Sequence, residues 1–159
     1  MVLVLLGTQN NSFHRLLEEV QKCIDNKIIN TEVIVQAGCT KFESDNMKIF
    51  GLIPTKELNN YIQDADYIIC HGGVGSIVTS LKLNKKIIAV PRQKKYNEHV
   101  NDHQVQIIET FDGQGFIKGI KDVSDLEDAI KTINTFEPQH FVSNTNKILN
   151  IVSDFIDNN

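Results

Sequence analysis

Short, unbroken apolar runs alternate with stretches of helical period along this sequence, and that alternation restricts the fold more than any other feature. Residues 2–6, 32–36, 47–50, 67–70, 87–90 and 115–118 read as strands. Residues 13–26, 55–64, 74–83, 98–111 and 124–135 read as the helices between them. In the first helix Phe13, Leu16, Leu17, Val20 and Ile24 recur on one face. Thr55, after Pro54, and Ser124 stand where helix N-caps are expected. A last helical stretch is expected at about 139–157, with Phe141, Ile148, Val152 and Phe155 in one stripe and Leu149 and Ile156 beside it. Strands that are apolar throughout are covered on both faces, which is the mark of a parallel sheet. Right-handed crossovers then give an α/β, Rossmann-like parallel sheet with helices on both faces.

At 159 residues the chain is expected to form one domain, 1–159. The net charge of −4 argues against a general nucleic-acid binder, which needs a basic surplus. Three cysteines, Cys23, Cys39 and Cys70, are widely spaced with no Cys-x-x-Cys pair, against a disulfide scaffold or zinc ribbon and in favour of a reducing compartment. The apolar start, residues 1–6, meets Gly7 at once and is too short for a signal or membrane-spanning segment.

In such sheets ligands bind outside the carboxyl ends of the strands. The most informative stretch there is Cys70-His-Gly-Gly-Val-Gly-Ser76, a strand end followed by three glycines and the start of a helix. Glycines let a ligand approach the backbone, and a helix N-terminus offers free N–H groups and positive dipole to a phosphate. Ser76 can add a hydroxyl and His71 a ring donor. A tight strand–helix turn without a ligand uses the same glycines, so the loop alone is a weak signal. Downstream come a strand closed by Val90-Pro91-Arg92 and then the polar cluster Glu98-His-Val-Asn-Asp-His-Gln104.

That ordered set resembles the donor-binding, C-terminal half of GT-B glycosyltransferases, of the family 28 C-terminal-domain type. More narrowly it is similar to the short soluble subunits of two-chain enzymes. These are bacterial capsular and exopolysaccharide β-1,4-glycosyltransferases and the small subunit of the dolichol-linked N-acetylglucosamine transferase. The resemblance implies that Gly72, Gly73, Gly75 and Ser76 hold a diphosphate with His71 beside it, and that Gly7 and Thr8 face the same cleft. It implies that Asn101, Asp102 and Gln104 contact sugar hydroxyls, with Glu98 a possible fourth. Helical spacing would put Glu98, Asn101 and Asp102 on one face and Gln104 roughly a hundred degrees or more away from Glu98. Where many relatives carry a ribose-binding Glu, this chain has Thr79, which offers only a hydroxyl.

Other patterns compete. Asp64-Ala-Asp66 spells a metal–nucleotide motif but precedes its strand instead of ending it. His99 and His103 are four apart, a zinc spacing, without the intervening Glu of a zinc protease. Ser76 lies outside a Gly-x-Ser-x-Gly elbow, and Cys70 reads as a buried strand residue. Lys82, Lys85, Lys86, Arg92, Lys94 and Lys95 form a run without acids. Its lysines fit a solvated helix end, and Arg92 with Lys94 fit attraction of a diphosphate or an anionic lipid surface equally well.

By resemblance, then, the chain is the catalytic subunit of an inverting, metal-independent hexosyltransferase that uses a UDP-sugar, UDP-galactose or UDP-N-acetylglucosamine, and no cofactor. The acceptor would be a lipid-linked saccharide of polysaccharide biosynthesis. The chain would be cytoplasmic, peripheral on the inner membrane face through a membrane-anchored partner that carries the other half of the active site. The C-terminal helix would dock that partner. No general base is assigned; His14, at the first loop–helix junction, is a candidate, and a second chain is the expected source. Two alternatives remain: a non-catalytic nucleotide-sugar-binding regulatory module, or an unrelated Rossmann-like enzyme. Against the second, the dinucleotide Gly-x-Gly-x-x-Gly fingerprint is missing after the first strand.

Overall fold

The computed structural model describes residues 1–142. Six parallel strands form one sheet in the order β3-β2-β1-β4-β5-β6. They are β1 (Val2–Leu5), β2 (Val33–Gln36), β3 (Met47–Phe50), β4 (Tyr67–His71), β5 (Ile87–Val90) and β6 (Lys118–Gly119). The helices are α1 (His14–Asp25), α2 (Thr55–Asp64), α3 (Val74–Lys82), α4 (His103–Gly113) and α5 (Leu126–Ile133). This is the expected doubly wound architecture. Strand order reverses between β1 and β4, where Leu5, the last residue of β1, is in register with Cys70. A crevice opens at such a switch point.

The strands are apolar throughout because both faces are covered. Val2 and Val4 of β1 pack with Leu16, Leu17 and Val20 of α1 and Leu126 and Ile130 of α5. Leu3 and Leu5 face the other layer, with Ile62 of α2, Ile77 of α3 and Ile108 and Phe111 of α4. Burying a Leu, Ile or Phe of this kind stabilises the fold by about 1.5–3 kcal/mol per side chain. Among the described residues no helix is long and apolar enough to cross a membrane.

Helix starts differ from the sequence reading. Pro54, extended at φ −56°, takes the cap position of α2 and its carbonyl accepts from Leu58 N, so Thr55 is the first helical residue, not the cap. Before α5, Asp122 rather than Ser124 is the capping side chain, its carboxylate accepting from Ser124 N at 3.2 Å, and residues 123–125 form a 3₁₀ turn. The largest difference is at α4, which begins at His103, five residues later than expected. A 3₁₀ turn at Lys94–Tyr96 ends in Asn97 at φ +57°. The side chains that follow bond backbone amides: Glu98 accepts from Gln93 N, Asp102 from Lys94 N and Asn101 from His103 N. Such local bonds compete with the helix. The expected helical faces for Glu98, Asn101 and Asp102 therefore do not exist.

Residues 139–142 are not helical, and the rest of the expected C-terminal helix lies outside the described residues. Of its apolar stripe, Phe141 is described. It packs edge-on against Phe116, ring centroids 5.4 Å apart, beside the α4 layer.

Candidate functional site

The loops after β1, β4 and β5 meet at the switch point, and glycines allow the meeting. Gly7 sits at φ +77°, in the left-handed region, and a Cβ there would run into Nε2 of His71. A Cβ on Gly73 would strike Cε1 of the same ring and stand 2.8 Å from its Nε2. The imidazole thus lies between two bare backbones, one from each side of the crevice. A Cβ on Gly72 would meet Cβ of Gln104 at 2.7 Å. These three glycines serve the packing of the loops around His71.

Gly75 is different. It is exposed in the first turn of α3, and nothing lies within 4 Å of where its Cβ would be. The helix begins from an extended Gly73, no side chain caps it, and its first backbone bond runs from Ile77 N to Gly73 O. The N–H groups of Val74, Gly75 and Ser76 come before that bond, at the positive end of the helix dipole. Open space, free donors and positive potential coincide here. That combination suits a phosphate.

His71 is buried, and its pKa is lowered to about 4, first by burial and then by the nearby positive charge of Arg92. The nearby ring of His99 adds to the lowering. The ring is therefore neutral at physiological pH.

The polar cluster after β5 divides into buried struts and an exposed rim. Arg92 is only 1% exposed, so it does not attract a diphosphate from solvent. Its guanidinium donates to the carbonyls of Leu6 at 2.7 Å, Asn11 at 2.6 Å and Glu98 at 3.3 Å, and lies 5.0 Å over the Phe13 ring. Arg92 thereby ties the loop after β1 to the loop after β5; its Nε is buried without a partner. Glu98, expected near the sugar, is buried in a two-pronged ion pair with Arg15, both contacts 2.9 Å. Arg15 also reaches Asp122 at 3.3 Å and stacks 4.2 Å over Tyr96. Gln104, likewise expected on the sugar, is buried: its Oε1 accepts from Gly72 N and Arg92 N, both at 3.1 Å. Thr8, Thr79 and Asp102 are exposed, and Ser76 and Asn101 half-buried.

His14 opens α1 and is directed elsewhere: Nδ1 lies 3.2 Å from the Lys41 carbonyl and Nε2 3.6 Å from Glu18. Nothing links it to the ring of His71. The basic run is dispersed. Lys85 donates to the Gln63 and Ala65 carbonyls and Lys86 to that of Asn134, at the amino end of β5, whereas Lys94 lies beyond its carboxyl end. Asp66 pairs with the terminal amine at 2.6 Å, at the amino end of the sheet. His99 is in a loop and His103 starts α4, so the two do not share a helix. Among the described residues no cluster of three His, Cys, Asp or Glu could hold a metal ion. Cys70 is buried as expected, its thiol pushed up to about 12 by burial. A cavity of about 520 Å³ lies at the opposite end of the sheet and is lined by Lys27, Thr31, Asp66 and Lys131 among others.

Sequence reasoning missed the Arg15–Glu98–Asp122 cluster and the Phe13 ring under Arg92. Arg15 lies 83 residues from Glu98 and 107 from Asp122, and Phe13 is similarly remote from Arg92 in the chain, so no local pattern connects them.

The sequence matches the glycosyltransferase family 28 C-terminal domain over residues 1–158. It is 26% identical over 113 residues to the UDP-N-acetylglucosamine transferase subunit ALG13 of Candida albicans, covering 71% of this chain and 37% of that protein. The Candida glabrata protein of the same name is 39% identical over 69 residues, 43% of this chain and 33% of that one. The chain thus spans about a third of the length of the curated relatives it matches. Among solved structures, the solution structure of ALG13 superposes with a TM-score of 0.61 at 18% identity, covering 94% of this chain and 93% of that one. MurG of Acinetobacter baumannii gives 0.55 at 16% identity, covering 83% and 40%. At these identities the structural likeness establishes the shared fold.

Proposed function

The chain belongs to the glycosyltransferase family 28 C-terminal domain family, and on that premise we propose that it is the donor-binding subunit of a UDP-sugar-dependent hexosyltransferase. The observation that carries the reading is the uncapped, open N-terminus of α3 at Gly75, set at the switch point beside a neutral, buried His71. The diphosphate lies on the N–H groups of Val74, Gly75 and Ser76. Gly7 and Thr8 bound the crevice from the β1 side. Asn101 and Asp102, on the rim, face the sugar, and Thr79 stands one turn along α3 from the phosphates. Gln104, Glu98 and Arg92 serve from behind by holding the three loops together.

When the glycosidic bond to the donor breaks, negative charge collects on the leaving diphosphate. Fixed N–H dipoles stabilise that charge without reorganising, which is an efficient form of catalysis. Transfer is inverting and metal-independent in this reading, and the acceptor hydroxyl attacks from the side opposite the diphosphate. In this reading the general base and the acceptor site come from a membrane-anchored partner subunit that carries the other half of the active site. The acceptor is a lipid-linked saccharide, in capsule or exopolysaccharide synthesis, and the complex works on the cytoplasmic face of the membrane. The matched ALG13 proteins are named UDP-N-acetylglucosamine transferase subunits, which favours N-acetylglucosamine over galactose as the sugar.

The test is a thermal-shift panel of UDP-N-acetylglucosamine, UDP-galactose, UDP and a nicotinamide dinucleotide. At a hundred times Kd a bound ligand adds about 2.7 kcal/mol, a rise in Tm of roughly 5–10 °C for a chain this size. Stabilisation by a UDP-sugar supports the reading. A response to the nicotinamide dinucleotide alone refutes it.

A further inference from the structure

We infer that Gln104 is a positioning residue that fixes His71 as the Nε2–H tautomer, so that the ring's one donor faces the gap between the loops after β1 and β4. The inference rests on the donor-site reading above for its consequence, and on hydrogen-bond polarity alone for its premise.

The premise follows from two backbone donors. Gly72 N and Arg92 N both point at one atom of the Gln104 amide, each at 3.1 Å. An amide nitrogen cannot accept, so that atom is the carbonyl oxygen Oε1. The other amide atom, Nε2, is then a donor, and it lies 3.3 Å from His71 Nδ1. Nδ1 must accept, and the single proton of the neutral imidazole sits on Nε2. Nε2 is the atom that a Cβ on Gly7 would strike, and a Cβ on Gly73 would come within 2.8 Å of it. The two glycines leave that edge of the ring bare.

The same polarity keeps the ring from charging. An imidazolium would set its Nδ1–H against the Gln104 Nε2–H, two donors face to face. Of the charged and titratable groups around the ring, Arg92 beyond β5 and His99 before α4 both oppose the imidazolium, and burial opposes it most. His71 therefore offers a diphosphate one directed neutral donor that does not change between pH 6 and 8.

The experiment uses the full chain with ¹⁵N-labelled histidine and long-range ¹H–¹⁵N correlation, which reads which ring nitrogen carries the proton. In the wild type, His71 should show a protonated Nε2 and an unprotonated Nδ1, unchanged from pH 8 to 6. Gln104→Glu is close to isosteric and keeps an acceptor for Gly72 N and Arg92 N. It also presents Nδ1 with an oxygen that can only accept. The proton should move to Nδ1 in the neutral ring, and the His71 midpoint should rise from about 4 to roughly 6 or above. UDP-N-acetylglucosamine, whose diphosphate stays ionised over this range, then reports the consequence. Its affinity for Gln104→Glu should fall roughly tenfold at pH 8, where Nε2 no longer donates, and recover as pH drops and the imidazolium forms. Wild-type affinity should stay flat.

A wild-type proton on Nδ1 would overturn the inference without recourse to any variant. So would a Gln104→Glu protein with the proton still on Nε2 and an unmoved midpoint. A purely structural Gln104 would change stability in the variant and leave the tautomer alone. The spectra need no ligand. Expected tautomers together with no UDP-sugar binding by the wild type would therefore refute the donor-site reading and leave the tautomer assignment standing.

Discussion

Holding His71 neutral makes stability depend on acid. The ring's pKa is lowered from 6.5 to about 4 on folding. Because the unfolded chain takes up the proton first, stability is fully present above pH 6.5 and is lost as pH falls toward 4. A difference of about 2.5 pKa units corresponds to about 3.4 kcal/mol over the whole window, of which about 2 kcal/mol is gone by pH 5. His71→Asn keeps an acceptor for the Gln104 amide but removes the titration. Urea denaturation of both proteins at pH 7.5, 6 and 5 isolates the effect, since the carboxylates are common to both. Whatever the variant costs at pH 7.5, the wild type should lose about 2 kcal/mol more than the variant between pH 7.5 and 5. Parallel curves would mean that His71 titrates normally and that its enclosure between Gly7, Gly73 and Gln104 is wrong.

The glycines separate structure from binding. Gly7→Ala meets a left-handed backbone and the His71 ring together, and should destabilise the fold by roughly 2–4 kcal/mol in a urea titration. Gly75→Ala enters open space in a helix, so stability should hold or rise by up to about 1 kcal/mol while UDP-N-acetylglucosamine affinity falls in calorimetry. Unchanged affinity in Gly75→Ala would show that the space over α3 is not the donor's. Arg92→Met gives up three buried carbonyl contacts and should cost roughly 3–5 kcal/mol, with little salt dependence because the site is buried. A loss under about 1 kcal/mol would mean the two loops are held together by other contacts.

Strand positions were legible because β1, β2, β4 and β5 are buried on both faces, so their apolar runs are unbroken. The glycine loop was legible as a local motif, with a strand end, glycines and a helix start in one stretch. The polar cluster at 98–104 was legible as a place but not as a set of roles. Sequence shows that Glu98 and Gln104 are polar; it does not show that each is buried against a partner from another loop. Arg92, beyond a strand closed by Pro91, read as a solvent-facing cation, and its three acceptors are carbonyls, which no side-chain pattern reveals. The late start of α4 escaped for a related reason. Residues 98–102 have helical spacing, but Asn97 turns the chain just before them, Glu98 and Asp102 reach back to the amides of Gln93 and Lys94, and Asn101 takes the His103 amide that a helix would have used.

A UDP-sugar bound as proposed places its diphosphate on the N-terminus of α3. The most direct measurement is an amide ¹H–¹⁵N shift map of the chain titrated with UDP-N-acetylglucosamine. The largest shifts are expected at Gly73, Val74, Gly75, Ser76 and Ile77, with smaller ones at Gly7, Thr8 and Asn101. Saturable binding whose shifts fall instead around Lys27, Thr31 and Lys131, at the cavity on the opposite end of the sheet, would contradict that placement.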